Sequence, residues 1–419
     1  MLLKELFTEY DESIEANAYR DPMGLQIVWS AVGQNIFGRN ITSISSDMRN
    51  FNINLFNHWI VKDLTSGLEA LQLSHKQKEH YSGVGLKTGL IIFLENLMVY
   101  LMLSESKRDT KVTDVDVDLG GLLGTSKARN RLDSEGLEGI TLSVDQEDTI
   151  LVRQITLGVN GRYRTPFIEA GLMDAFNNYE PYEDAWKEAA VLFSSNGFAE
   201  LAGRLKSVLR DLFAAHPNQT PPEIAVTAIP GRKELQAGFA RCFGTHASTR
   251  AGAFRRFWRR RLKLDQGAAA VLYDCAKQRI GSDNISIQEV AIAALESIPE
   301  NSEEHRKIDD IRKLEPFLVS ANALFRLICA KEVETLNDLK AALHEKEAGD
   351  LLGRLRTQAE QAHEVKPNIG GFSQYRLQRL TQFNCDDLSR CVQDLQKYQS
   401  DVMEPVSYTH LTLPTMSTT

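Results

Sequence analysis

The chain has 419 residues, of which 42% are hydrophobic and 25% are charged, and its formal net charge at pH 7 is -8. A chain of this length buries more than one core, so the sequence predicts a soluble protein of two to four domains. The acidic balance argues against a general polyanion binder, because any contact with nucleic acid must then come from a local basic patch.

The cysteines and the first residues indicate the cellular compartment of the protein. Five cysteines are widely spaced, and no Cys-x-x-Cys motif occurs. An odd number of scattered cysteines is typical of reduced thiols inside a cell. Residues 1–7 lack the charged, apolar and small-residue order of a signal peptide. We therefore predict a cytoplasmic protein that uses neither a cofactor nor a metal.

Residues 1–113 are predicted to form an N-terminal helical domain. Apolar residues recur at helical spacing from Leu25 to Phe37, and residues 50–64 favour a helix although their first half alternates by two. The longest apolar run, residues 90–103, is interrupted by Glu95 and Asn96. This run is too short and too polar to span a bilayer, so it predicts a buried core helix and no membrane contact.

Three aspartates follow, alternating with valines, at Asp114, Asp116 and Asp118. One interpretation is a solvated edge strand. Another is a divalent-ion site, which would suit a nuclease-like enzyme, although the glycine and glutamate positions of a calcium-binding loop are absent.

Residues 114–180 are predicted to form a helix followed by a β-hairpin. Gly124-Thr125-Ser126 precedes a short basic helix, and residues 140–144 and 150–155 bracket a polar turn at residues 145–148. This order of a glycine-centred turn, a capped helix and a hairpin resembles the winged helix-turn-helix family, which implies binding of DNA; a purely structural helix and hairpin is the alternative. The basic residues of this winged-helix-like unit are Lys127, Arg129, Arg131, Arg153, Arg162 and Arg164.

Residues 181–215 are predicted to be a helical extension, and residues 216–231 a proline-rich linker. Residues 232–405 are predicted to form a C-terminal helical domain that begins with a strongly basic stretch. Within it, Phe254, Phe257, Trp258 and Leu262 lie at helical spacing and form one apolar stripe on a basic helix. The basic residues of this helix and its flanks are Arg250, Arg255, Arg256, Arg259, Arg260, Arg261 and Lys263.

Three interpretations of the basic helix stay open. Its arginines can neutralise nucleic-acid phosphates, pair with acids of this chain or of a partner, or lie on anionic lipid. The planar fork of arginine suits phosphate better than lysine does. Lipid is the least favoured of the three, because the stripe is short and aromatic-rich enough to be ordinary core.

The last residues differ in character. Residues 406–415 resemble, residue for residue, one reading frame of the end sequence used in transposase-based sequencing libraries. The resemblance implies that residues 406–419 are adapter read-through, not native sequence, that native chain continues beyond Pro405, and that the source is prokaryotic or viral.

The sequence therefore predicts a mainly α, multidomain helical protein with one small β-hairpin, winged-helix-like unit. We predict a nucleic-acid-binding component of a prokaryotic multi-protein system, with protein partners. The alternatives are a protein–protein scaffold that does not bind nucleic acid and, third, a metal-dependent nuclease-like enzyme.

Overall fold

The computed structural model describes residues 23–40, 48–66, 70–81, 85–106, 122, 124–134, 139–145, 148–150, 154–194, 197–244, 252–279, 286–328, 335–345, 350–365 and 368–403. The chain divides into two compact units. The middle unit is Arg39–Leu264, and the terminal unit joins Met1–Gly38 to Asp265–Thr419. The domain boundaries predicted from the sequence differ from the boundaries of these two units. Whether the predicted domains fold independently stays a prediction.

The middle unit is a cluster of helices. Its α-helices are Met48–Thr65, His75–His80, Gly85–Ser106, Thr125–Ser134, Gln154–Leu157, Val159–Glu169, Glu183–Phe193, Phe198–Ala215, Arg232–Phe243 and Gly252–Arg261. Among its described residues, Glu180–Tyr182 and Val226–Ala228 form 3-10 turns. The mainly helical fold predicted from the sequence is confirmed.

Gly85–Ser106, the central helix, contains the whole apolar run of residues 90–103. Over residues 85–103 it is long and apolar enough to cross a membrane, and 83% of that window is buried inside the protein. It packs against the Met48–Thr65 and Arg232–Phe243 helices, among others. The central helix thus supplies apolar surface to the core of the middle unit, as the sequence predicts.

The Met48–Thr65 helix is unusual because its buried residues include polar ones on every side. Asn50, Asn52, Asn54, Asn57 and His58 are all at most 4% exposed. Asn52 accepts a hydrogen bond from Trp258, and His58 is hydrogen-bonded to Asn160 and Tyr179, so these two side chains tie the helix to its neighbours at defined positions. An aromatic side chain of the same helix, that of Phe56, packs against Phe193, Phe198 and Phe243.

The one sheet in the described part of the chain has two antiparallel strands, Ile140–Thr141 and Glu223–Ile224. Ile140 pairs with Ile224 and Thr141 with Glu223, and the N–H of Leu142 donates to the carbonyl of Pro222 over 2.9 Å. The predicted small antiparallel pair is therefore present.

Its second strand is not the one that the sequence predicts. Ile150 lies in a bend, and Gln154 and Ile155 begin a helix, whereas residues 151–153 lie outside the described residues. The amide N–H of Ile150 donates to the side chain of Gln154, at the start of this helix, over 3.0 Å. The prediction of a hairpin wing at residues 140–155 is therefore wrong. The strand that pairs with Ile140–Thr141 comes from a segment some eighty residues later in the chain.

The terminal unit is built mainly of helices. Its helices are Leu25–Phe37, Gly267–Gln278, Ile287–Glu296, Glu303–Ile328, Leu336–Glu345, Leu351–Val365, Gly371–Leu380 and Leu388–Met403. The Ile287–Glu296 helix begins with a capping box, in which Ser286 and Glu289 exchange hydrogen bonds of 3.0 and 3.1 Å. The long Glu303–Ile328 helix packs against Leu25–Phe37 and Leu351–Val365 and so forms the middle of this core.

Candidate nucleic-acid interface

The basic helix, Gly252–Arg261, combines five arginines with no acidic residue. Its apolar residues, at i, i+3 and i+4, produce one buried stripe, as the sequence predicts. Phe254, Phe257 and Trp258 are 2 to 4% exposed, and Leu262 just beyond the helix is 1% exposed. Each such side chain stabilises the fold by about 2 to 3 kcal/mol when fully buried, so the helix is held firmly against the core.

The buried stripe packs on aromatic rings. The ring of Phe254 lies 5.8 Å from that of Phe193 and 5.6 Å from that of Phe198. The ring of Trp258 lies 5.1 Å from Phe51 on the Met48–Thr65 helix. Because these contacts fix the rotation of the helix about its axis, they also determine which arginines face outward.

Two arginines form ion pairs within the unit. Arg260 and Arg261 each donate to one oxygen of Glu188, over 2.8 and 2.6 Å. Glu188 lies on the Glu183–Phe193 helix and is half exposed. One carboxylate thus meets two guanidinium groups, and the cluster keeps a net positive charge. The interpretation of the basic helix as an ion-pairing element fits these two residues.

Arg255 and Arg256 are both exposed on the side of the helix that faces away from the buried stripe. Among the residues that the structure describes, neither has an ion pair with a carboxylate. Arg259, one turn after Arg255, is half-buried, and Lys263 after the helix is exposed with a positive φ of 55°. Basic residues at the end of a helix also interact favourably with its dipole. Arg255 and Arg256, called the outer edge below, therefore carry positive charge that no carboxylate of the described residues pairs.

The other basic residues of the predicted site lie on different elements. Lys127 and Arg129 are exposed on the Thr125–Ser134 helix, which packs against the central helix, and Arg131 on the same helix is half-buried. Arg162 and Arg164 are half-buried on the Val159–Glu169 helix, and Arg164 donates to the carbonyl of Ala175. Outside the described residues lie Arg153, Arg250, the aspartates Asp114, Asp116 and Asp118, and the tail 406–419.

A buried polar network in the middle unit was not predicted as a site. Glu95 on the central helix accepts hydrogen bonds from the backbone N–H of Asn160 over 2.7 Å and from the side chain of Gln154 over 3.0 Å. The carboxylate thereby caps the N-terminus of the Val159–Glu169 helix, where the helix dipole favours negative charge. Burial nevertheless raises the pKa of Glu95 to about 7, against the opposing effect of these hydrogen bonds. The signal in the sequence was the break that Glu95 and Asn96 make in the apolar run.

His58, on the Met48–Thr65 helix, bonds to the Val159–Glu169 helix and to Tyr179, which precedes the Glu180–Tyr182 turn. Its Nε2 lies 2.9 Å from Oδ1 of Asn160 and its Nδ1 lies 2.8 Å from the hydroxyl of Tyr179. Because an amide oxygen only accepts, Nε2 carries the proton and Nδ1 accepts from the tyrosine hydroxyl. Burial lowers the pKa of His58 to about 4, so the ring is neutral at physiological pH.

A narrow cleft opens beside this network, lined in part by Glu95, Asn96 and Gln154. It has room for about one water molecule. In the described part of the chain, no group of three or more histidine, cysteine or carboxylate side chains is placed to hold a metal ion. The network therefore positions helices, and the exposed arginine edge is the stronger candidate for binding a partner.

No family model, curated protein or solved structure matches the chain.

Proposed function

We propose that the protein binds nucleic acid through the outer edge of the basic helix, as a component of a larger assembly. The observation that supports this proposal is the exposed pair Arg255 and Arg256 on a helix whose opposite face is fixed in the core. Arginine forks donate bidentate hydrogen bonds to phosphate oxygens, and a rigid mount lowers the entropy that binding costs.

The arrangement of charge favours phosphate over a diffuse electrostatic role. The chain carries a net charge of -8, so a nucleic acid is repelled by most of its surface and attracted only locally. Arg260 and Arg261 share one carboxylate and extend the positive edge toward the end of the helix. The proposed contact is with the backbone, which positions the protein without reading sequence.

The proposal is tested by Arg255→Gln/Arg256→Gln, compared with Arg354→Gln/Arg390→Gln as the control. The control removes the same two charges from exposed arginines of the terminal unit. If both Arg255 and Arg256 contact phosphates, the first variant lowers the slope of log affinity against log salt by about 1.8 on duplex DNA, and the control leaves the slope unchanged. Equal slopes in both variants and the wild type would contradict the proposal.

A scaffold role is a second candidate, supported by an aromatic pair in the terminal unit. The rings of Phe372 and Tyr375 stack at 6.4 Å although the two side chains are 48% and 45% exposed. Exposed aromatic residues are enriched at protein interfaces. A photoreactive phenylalanine analogue at position 372 is expected to give one defined crosslinked partner in cells, whereas only diffuse products would count against this role.

A further inference from the structure

Cys385 and Cys391 lie next to each other in the terminal unit. Cys385 is in the loop between the Gly371–Leu380 and Leu388–Met403 helices, and Cys391 is in the first turn of the second helix. The thiol of Cys391 donates a hydrogen bond to the sulfur of Cys385. The thiol of Cys385 in turn donates to the carbonyl of Phe383 over 3.5 Å. The two thiols are thus hydrogen-bonded neighbours.

The loop that carries Cys385 is tied down on both sides of it. The N–H of Asn384 donates to the carboxylate of Asp394 over 2.8 Å, and Arg356 pairs with Asp386 over 2.7 Å. On the helix side, the N–H of Cys391 donates to the carbonyl of Asp387 over 2.9 Å. These bonds hold both thiols in place, so a reaction between them has the advantage of a preorganised intramolecular step.

The surroundings of the two thiols shift their pKa values in opposite directions. The hydrogen bond from Cys391 lowers the pKa of Cys385, against the effect of burial. Cys391 donates that bond and is fully buried, and both effects raise its pKa. Because the thiolate is the nucleophile, Cys385, which is 9% exposed, is the residue that attacks first.

We propose that Cys385 and Cys391 are an oxidation site, at which a small peroxide converts the two thiols into an intrachain disulfide. The thiolate of Cys385 attacks one peroxide oxygen, the O–O bond breaks, and Cys385 becomes a sulfenic acid while the other oxygen leaves as water after taking a proton. The sulfur of Cys391 then attacks that of Cys385, the S–O bond breaks, and the hydroxyl leaves with the proton of Cys391 as a second water. The sulfur pair loses two electrons, and the peroxide gains them.

The bond would join the 381–387 loop covalently to the Leu388–Met403 helix. The sequence predicts a reducing compartment, in which such a disulfide is transient and a thiol reductant returns both residues to thiols. This inference stands apart from the proposed function, because it concerns other residues in another unit.

Trypsin makes the test direct, because Arg390 separates the two cysteines. Cleavage after Arg379, Arg390 and Lys397 places Cys385 in the peptide 380–390 and Cys391 in the peptide 391–397. Native protein is exposed to hydrogen peroxide, and free thiols are then blocked with N-ethylmaleimide. The protein is digested with trypsin, and the peptide masses are measured by mass spectrometry. We expect the two peptides joined, two hydrogens lighter than their sum, and formed about tenfold faster than Cys242 is oxidised.

Cys242 is the internal control, since it is buried in the middle unit and burial raises its pKa to about 12. The proposal would be overturned if both peptides were recovered with N-ethylmaleimide on their cysteines and lost their free thiols no faster than Cys242 does.

Two variants test the order of attack. Cys391→Ser is expected to stop at a sulfenic acid on Cys385 that dimedone captures, and Cys385→Ser to leave Cys391 unoxidised. Rapid oxidation of Cys391 in Cys385→Ser would overturn the assigned order, and the wild-type digest decides the site even if a variant does not fold.

Discussion

The indole N–H of Trp258 donates a hydrogen bond of 2.6 Å to the side-chain oxygen of Asn52. Both residues are buried, at 2% and 3% exposure. The bond joins the basic helix to the Met48–Thr65 helix. It therefore fixes the register of the basic helix, and with it the direction in which Arg255 and Arg256 point.

Asn52→Leu is expected to destabilise the protein by about 1 to 3 kcal/mol, because it leaves a buried indole N–H without an acceptor. Trp258→Phe should cost at least as much, since it leaves the amide oxygen without a donor and removes buried surface. The double variant should lose less than the sum of the two, by about 1 kcal/mol or more. Urea unfolding measures all three, and strictly additive losses would show that the bond contributes nothing.

Glu188→Gln is expected to strengthen nucleic-acid binding and to steepen its salt dependence, because it releases Arg260 and Arg261 from their shared carboxylate. The loss of stability should be small, about 1 kcal/mol or less, since these ion pairs are partly exposed. Affinity measured at several salt concentrations checks the first effect. Weaker binding in this variant would mean that the ion pairs serve to position the helix for its ligand instead.

Gly158→Ala is expected to destabilise the protein, since a β-carbon there would lie 2.6 Å from the carbonyl of Gln154 and 2.7 Å from the carboxylate of Glu95. Overpacking of this kind costs about 1 to 3 kcal/mol. Gly203→Ala is the matched control, because its β-carbon meets no atom within 4 Å in the Phe198–Ala215 helix. The control should gain up to about 1 kcal/mol from the better helix former. Thermal unfolding that moves both variants in the same direction would contradict the tight fit at Gly158.

Glu95 and His58 are expected to oppose each other in the pH dependence of stability. Burial raises the pKa of Glu95 from 4.5 to about 7, so its contribution is full below pH 4.5 and is lost as the pH rises to about 7. Burial lowers the pKa of His58 from 6.5 to about 4, so its contribution is full above pH 6.5 and is lost as the pH falls to about 4. The two changes are of similar size and opposite sign, so in the wild type they nearly cancel between these limits.

Single variants should separate the two effects. Between about pH 4.5 and 6.5, the free energy of unfolding of Glu95→Gln should rise relative to the wild type by up to about 1.4 kcal/mol per pH unit. That of His58→Gln should fall by a similar amount. Urea titrations at intervals of half a pH unit give both differences. Curves that stay parallel to the wild type would show that neither group titrates with a shifted pKa.

Much of the helical structure follows from local pattern. The stripe of Phe254, Phe257 and Trp258 is buried as its spacing predicts, because the same side chains must leave water whichever partner receives them. The strand at Ile140–Thr141 was also found, since alternation of apolar residues marks a half-buried strand. Its partner at Glu223–Ile224 was not, because a two-residue strand leaves no signal in the sequence and pairing is decided by tertiary contacts.

The candidate site was predictable only in part. Clustered arginines indicate a basic surface, but no spacing rule connects Arg260 and Arg261 to Glu188, which lies on another helix. Likewise, Glu95 in an apolar run signals a special position, whereas its partner Asn160 depends on how two distant helices meet. Long-range polar contacts of this kind are set by packing geometry, which the periodicity of a single segment does not contain.

The most direct test of the proposed function is binding of the unmodified protein to fluorescently labelled 20-nucleotide duplex and single strands, followed by anisotropy as the salt concentration rises from about 50 mM. The proposal predicts measurable binding at the lowest salt, a linear loss of log affinity with log salt, and a slope that falls by about 1.8 on duplex DNA in Arg255→Gln/Arg256→Gln. No detectable binding of either strand form at about 50 mM salt, where electrostatic contacts are strongest, would contradict it.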